Sequence, residues 1–200
     1  MPNEPNPAGD QIHLRQFPKY SFDRGRSFFV ICLWRVTALW LFIPLSTFRR
    51  LLLRLFGATI GTGVVLKGRL RVRYPWRLAI GQDSWIGEDC WIDNWVPVTI
   101  GNNVCISQSA YICTGNHDWA DPHFAITPEP IVIGNSAWVG ARAVIGPGVE
   151  LGTGAIAGIA SVVISSVPSW EIHAGNPARF VKTRRVRPGP SADDPALDSN

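Results

Sequence analysis

IVIGNSAWVGARAVIGPGVELGTGAIAGIASVVI, residues 131–164, carries Ile133, Val139, Ile145, Leu151, Ala157 and Val163 at intervals of six. Glycine follows the first five, at Gly134, Gly140, Gly146, Gly152 and Gly158. Two residues before the later members stand Ala137, Ala143, Val149, Ala155 and Ser161, all small or β-branched. A period of six matches neither the 3.6 residues of an amphipathic helix nor simple two-residue alternation. It resolves into a short strand followed by a corner.

The same period extends upstream through Ile60, Leu66 and Val72, then Ile80, Ile86 and Ile92, then Ile100, Ile106 and Ile112. Sets of three imply a coil with three faces. The expected fold is therefore all-β, a parallel β-helix of about five triangular coils. Inward aliphatic side chains would stack on their equivalents about 4.8 Å away in the next coil. Burying each large one contributes roughly 1.5–3 kcal/mol, enough for a core after the ordering entropy is subtracted. Glycine would relieve crowding at the corners.

The 200 residues suit one domain with appendages. Residues 1–20, opening MPNEPNPAGD, and 187–200, RPGPSADDPALDSN, are rich in proline and polar residues and read as disordered tails. Between them lie a helical segment at 21–57, the β-helix at 58–166 and a short C-terminal cap at 167–186. Residues 27–56, SFFVICLWRVTALWLFIPLSTFRRLLLRLF, are apolar with spaced arginines. Between Arg35 and Arg49 lie thirteen uncharged residues, including Pro44, short of the ~20 a spanning helix needs. Two compatible readings follow. The segment caps the open end of the β-helix, or it lies in a membrane interface with Arg35, Arg49, Arg50 and Arg54 near anionic headgroups.

The net charge of +4 is modest, and much of the basic excess lies outside the coils, which speaks against a nucleic-acid stripe. Cys32, Cys90, Cys105 and Cys113 show no CxxC spacing, and the three in the coils, Cys90, Cys105 and Cys113, lie beside or two residues from inward positions and are expected to serve as small hydrophobes. No early apolar core with a cleavage site is present, giving the expectation of a reducing cytoplasm.

The repeat is interrupted three times, always at the same point in the three-face cycle. Val72 to Ile80 and Ile92 to Ile100 are eight residues apart, and Ile112 to Ile133 twenty-one. One edge of the prism should thus carry Tyr74, Pro75 and Trp76, then Asn94, Trp95, Val96 and Pro97, then an ejected loop at 113–132, CTGNHDWADPHFAITPEPIV. Tryptophan faces suit sugar rings, although Trp76, Trp95 and Trp119 could equally pack the loop base. A loop this long within a compact repeat is usually functional. It holds His117 and His123, with Asp118, Asp121 and Glu129 nearby. A histidine near its reference pKa of ~6.5 can accept a hydroxyl proton at neutral pH.

The repeat, the loop Thr114-Gly115-Asn116-His117-Asp118-Trp119, the return through Ile131 to Gly140 and the ending Gly175-Asn176-Pro177-Ala178-Arg179 resemble the hexapeptide acyltransferases. The resemblance is to the maltose, galactoside and nodulation O-acetyltransferase branch. Within it, the colanic-acid-biosynthesis acetyltransferases similarly carry Leu-Leu-Arg-Leu-Phe-Gly-Ala, here Leu52 to Ala58, before the coils. The resemblance implies a left-handed β-helix, against the general preference for right-handed crossovers, assembled as a homotrimer with acetyl-CoA in the groove between prisms. It implies His117 as the general base. It also implies Trp138, Gly140, Ala141, Gly158 and Ile159 beside the pantetheine arm, and Arg179 and Lys182 near the nucleotide phosphates. The acceptor, a glycan free or lipid-linked, would meet Asp93, Asn94, Trp95 and Trp76. Ile164-Ser165 stands where relatives often carry Thr-Lys.

The implied function is acetyl transfer to a sugar hydroxyl in polysaccharide biosynthesis, with no metal, in the cytoplasm or at the inner face of the plasma membrane. A non-catalytic scaffold and a zinc hydratase like the gamma carbonic anhydrases share the fold. The latter needs three converging histidines, and only His117 and His123 lie in the coil region.

Overall fold

The computed structural model describes residues 23–43 and 45–186. The expected terminal tails, 1–20 and 187–200, lie outside the described residues. Three parallel sheets wind around one apolar core. The first face holds β1 (Thr59–Ile60), β4 (Leu78–Ile80), β7 (Val98–Ile100), β10 (Ile131–Ile133) and β13 (Glu150–Leu151). The second holds β2 (Val65–Leu66), β5 (Trp85–Ile86), β8 (Cys105–Ile106), β11 (Trp138–Val139) and β14 (Ile156–Ala157), then β16 (Glu171–Gly175) and β17 (Ala178–Thr183). The third holds β3 (Arg71–Val72), β6 (Trp91–Asp93), β9 (Tyr111–Cys113), β12 (Val144–Ile145) and β15 (Val162–Val163).

Register follows the six-residue period. Ile60, Ile80, Ile100, Ile133 and Leu151 stack on the first face, and Val72, Ile92, Ile112, Ile145 and Val163 on the third. Nearly all of these side chains are fully buried. At Gly81 a Cβ would sit 2.6 Å from the carbonyl carbon of Gly101, so close stacking of coils excludes a side chain there. Three residues after most inward aliphatics of the first and second faces the backbone turns through positive φ, at Arg69, Asp83, Asp89, Asn103, Ser109, Ser136, Arg142 and Ala160 among others. Asp, Asn and Ser tolerate that region through local hydrogen bonds, which accounts for their frequency at the corners.

A parallel edge leaves backbone groups unpaired, and the N-terminal helices supply partners for the first coil. The carbonyls of Thr62 and Gly68 accept from Asp83 and Asp89 of the second coil, and Gly61, Val65 and Lys67 donate to that coil, which leaves the carbonyls of Ile60, Val64, Leu66, Val72 and Arg73 to the helices. Helix α1 (Phe28–Thr37) places the Trp34 indole N–H on the carbonyls of Val72 and Arg73, at 3.2 and 3.1 Å. Helix α2 (Ser46–Leu55) sends Arg49 to Leu66 O through Nε and Nη2 (3.0 and 2.6 Å), Arg50 to Val64 O (2.9 Å) and Arg54 to Ile60 O (2.6 Å). Arg49 also donates to Ile43 O and is only 3 % exposed. The expectation that Arg49, Arg50 and Arg54 face headgroups is thereby corrected. Satisfying buried backbone acceptors outweighs hydration of the guanidinium groups at this edge.

At the other end, Val167 bridges Leu151, β16 extends the second face and β17 folds back antiparallel, ending the winding.

Candidate active site

The three insertions all connect the third face to the first: β3 to β4, β6 to β7 and β9 to β10. They build the expected wall along one edge. Asn94 is fully buried, and its amide brackets the backbone of Tyr74, accepting from the N–H (3.0 Å) and donating to the carbonyl (2.7 Å). Its polar atoms are thus committed within the coil, a role sequence spacing does not distinguish from acceptor contact. Asp93, also buried, pairs with Arg73 and accepts from the Tyr111 hydroxyl at 3.2 Å. Burial, reinforced by Cys113 and Asp93, raises the Tyr111 phenol's pKa and keeps it a neutral donor.

Trp76 stacks on Tyr74 with centroids 5.1 Å apart and donates its indole N–H to Arg24 O, fastening the N-terminal segment. Trp95 lies under the Arg73 guanidinium, 4.3 Å from the ring centroid. A Cβ on Gly115 would lie 3.1 Å from Trp95 Cδ1, so this ring forms the floor of the loop. Thr114 ties the two together, its Oγ1 accepting from Trp95 N–H at 2.8 Å.

Within the loop, His117 pairs with Ile126 across an antiparallel bridge. Its Nδ1 is 2.8 Å from Phe124 O, and its ring stacks on the Phe124 ring at 4.2 Å and 12°. A carbonyl oxygen only accepts, so Nδ1 carries the hydrogen and the Nε2 lone pair of the neutral ring is left to accept a proton. Phe124 adopts φ +52°, an uncommon conformation for a bulky residue, and this turn brings its carbonyl onto the histidine. Asp118 and Asp121 instead accept from loop backbone N–H groups, at Ala120 and at His123. The histidine is therefore oriented by a main-chain carbonyl, which has no sequence signature.

A second feature lies along a different edge, where the second face turns into the third. Ser107-Gln108, Gly140-Ala141 and Gly158-Ile159 form successive corners there, and with Trp138 they line an open groove of about 450 Å³. All five residues expected beside pantetheine therefore converge. The Trp138 indole is pinned by a 2.9 Å hydrogen bond to Ser107 Oγ. On the terminal ribbon, Ala174 pairs with Arg179 and Ile172 with Lys182, across a bulge next to His173. Because Ile172 and Ala174 alternate onto one side, Arg179 and Lys182 share that side despite being three apart.

Residues 77–112 and 130–159 match the family model described as the hexapeptide repeat of succinyl-transferase, leaving out most of the ejected loop. WcaF of Escherichia coli K12, named as a candidate colanic acid biosynthesis acetyltransferase, is 41% identical over 140 residues, covering 70% of this chain and 77% of its own. The chain belongs to the hexapeptide-repeat acetyltransferases. Galactoside O-acetyltransferase of the same organism is 29% identical over 137 residues, 67% of this chain and 68% of that protein. A hexapeptide-repeat acetyltransferase of Vibrio cholerae, crystallised with acetyl coenzyme A, superposes with a TM-score of 0.73 at 23% identity, covering 78% of this chain and 88% of its own. A galactoside acetyltransferase in complex with coenzyme A gives 0.71 at 23% identity, over 78% of this chain and 81% of its own.

The loop and the groove leave from different edges of one prism. The third face, whose strands are two or three residues long, lies between them. Among the described residues, no group of three or more His, Cys, Asp or Glu is placed to hold a metal ion.

Proposed function

We propose that this protein is an acetyl-CoA-dependent O-acetyltransferase that modifies a sugar hydroxyl during polysaccharide assembly, with His117 as general base. The observation that carries the reading is the Nδ1 contact of His117 with Phe124 O, which leaves Nε2 as the proton acceptor. The acceptor oxygen attacks the thioester carbonyl as Nε2 takes its proton, and the proton then passes to the departing coenzyme A thiolate. No acyl-enzyme is required. The groove at Gly140, Ala141, Gly158 and Ile159, bounded by Trp138, suits a pantetheine arm because its corners carry little side-chain bulk. Arg179 and Lys182 supply positive charge for the nucleotide phosphates.

The active unit in this reading is a homotrimer of about 66 kDa, three 22.0 kDa chains, in which the loop of one chain closes over the groove of its neighbour. Trp95 bounds the acceptor from below, and Asp93 acts through Arg73 and Tyr111. All four cysteines are free thiols, as in a reducing cytoplasm. Replacing His117 with alanine should lower kcat by roughly 10²–10⁴ with little change in acetyl-CoA binding. His123→Ala should be far milder, and a larger loss there in a steady-state assay would reassign the base.

A further inference from the structure

Helix α2 buries Leu52 and Leu53 in the core, yet it also aims arginine head groups at the coil and leaves leucines facing outward. Arg49, Arg50 and Arg54 turn toward the first coil, while Leu51 and Leu55 are 64% and 77% exposed. Helix α1 and the turn after it add further outward apolar side chains, Phe28 and Phe29, each 74% exposed, and Val36 and Leu39. The capping of the coil explains why the arginines point inward. It does not explain why the outward positions are leucine and phenylalanine, and an exposed apolar set of this extent marks an interaction surface.

Charge identifies the partner. From Arg24 to Arg54 the chain has six arginines and no aspartate or glutamate, and three of the six, Arg49, Arg50 and Arg54, are committed to the coil. Arg24, Arg26 and Arg35 are exposed on the same segment as the apolar side chains. Among the described residues no helix is long and apolar enough to cross a membrane. At ten residues each, α1 and α2 are about 15 Å long, half the hydrocarbon thickness of a bilayer. We propose that this outer face docks on an anionic phospholipid bilayer, with the helices lying in the interface. Phe28, Phe29, Leu51 and Leu55 enter the acyl boundary, and Arg24, Arg26 and Arg35 meet headgroup phosphates. Arg49, Arg50 and Arg54 belong to the coil and take no part.

The test is flotation of the full-length protein with vesicles of phosphatidylcholine alone or with 30% phosphatidylglycerol, without acetyl-CoA, so that it is independent of acetyl transfer. The wild type should float with the anionic vesicles, more weakly at high salt and little with neutral ones. Phe28→Ser with Phe29→Ser, and separately Leu51→Gln with Leu55→Gln, should each weaken binding at least tenfold with unchanged thermal unfolding. Arg35→Glu with Arg26→Glu should weaken it through the electrostatic part. The proposal is overturned if the wild type ignores anionic vesicles or if folded double variants bind as well as it does. It is also overturned if those variants instead reduce a larger assembly to a smaller one in sedimentation equilibrium, since the face would then be covered by a second copy.

Discussion

His117 shows how far a residue's chemistry can be read before its surroundings are known. Its place in an ejected loop, with the surrounding motif, singled it out, but nothing in the sequence says which group orients it. The orienting group is a carbonyl delivered by the positive φ of Phe124, and a conformation of that kind leaves no mark in residue type. Phe124→Gly accommodates this φ and should retain activity within about tenfold, the loss reflecting the missing ring. Phe124→Pro is held near φ −65° and cannot keep the carbonyl in place, so its kcat should fall toward that of His117→Ala. Equal activity in the two variants would remove the carbonyl from the mechanism. Cys90 offers a prediction about pH. Burial raises its thiol from 9.0 to about 11, while it donates to Ser107 O at 3.1 Å. Below pH 9 the thiol is protonated in both states and contributes no difference. Between pH 9 and 11 only the unfolded chain ionises, so stability falls with rising pH, by roughly 2–3 kcal/mol in all. Denaturant titrations of Cys90→Ala should show a shallower loss over that window.

At the scale of elements, the six-residue period made the strands, their register and the edge carrying the insertions legible, because each depends on one inward side chain per face. The arginines of α2 were legible only as charges. Spacing shows which residues can share a helix face, but not that a coil edge with unpaired carbonyls lies beneath that face. Trp34, Arg49, Arg50 and Arg54 together occupy the place a preceding coil would fill. Arg49→Met should therefore destabilise the fold by roughly 1–3 kcal/mol through the orphaned Leu66 carbonyl. Arg49→Lys should recover only part, since one ammonium does not reproduce the fork that reaches both Leu66 and Ile43. The shift in denaturation midpoint measures both. If Arg49→Met proved neutral, the helices would be an ornament on the coil instead of its cap.

For the whole molecule, the separation of loop and groove onto different edges bears on how the catalytic unit is assembled. If both came from one chain, His117→Ala and a groove-blocking variant such as Ala141→Trp would remain inactive in any mixture. If the loop of one chain serves the groove of the next, a mixed trimer contains interfaces in which an intact loop from the Ala141→Trp chain meets an intact groove from the His117→Ala chain. With random assembly from equal amounts, half of the loops and half of the grooves are intact. About a quarter of interfaces then combine the two, and co-refolded protein should recover about a quarter of wild-type activity per site. Mixing the folded variants without subunit exchange should recover none. Restored turnover after co-refolding, on a particle of trimer mass, would show that the edges meet between chains; its absence in a properly assembled mixture would confine the site to a single prism.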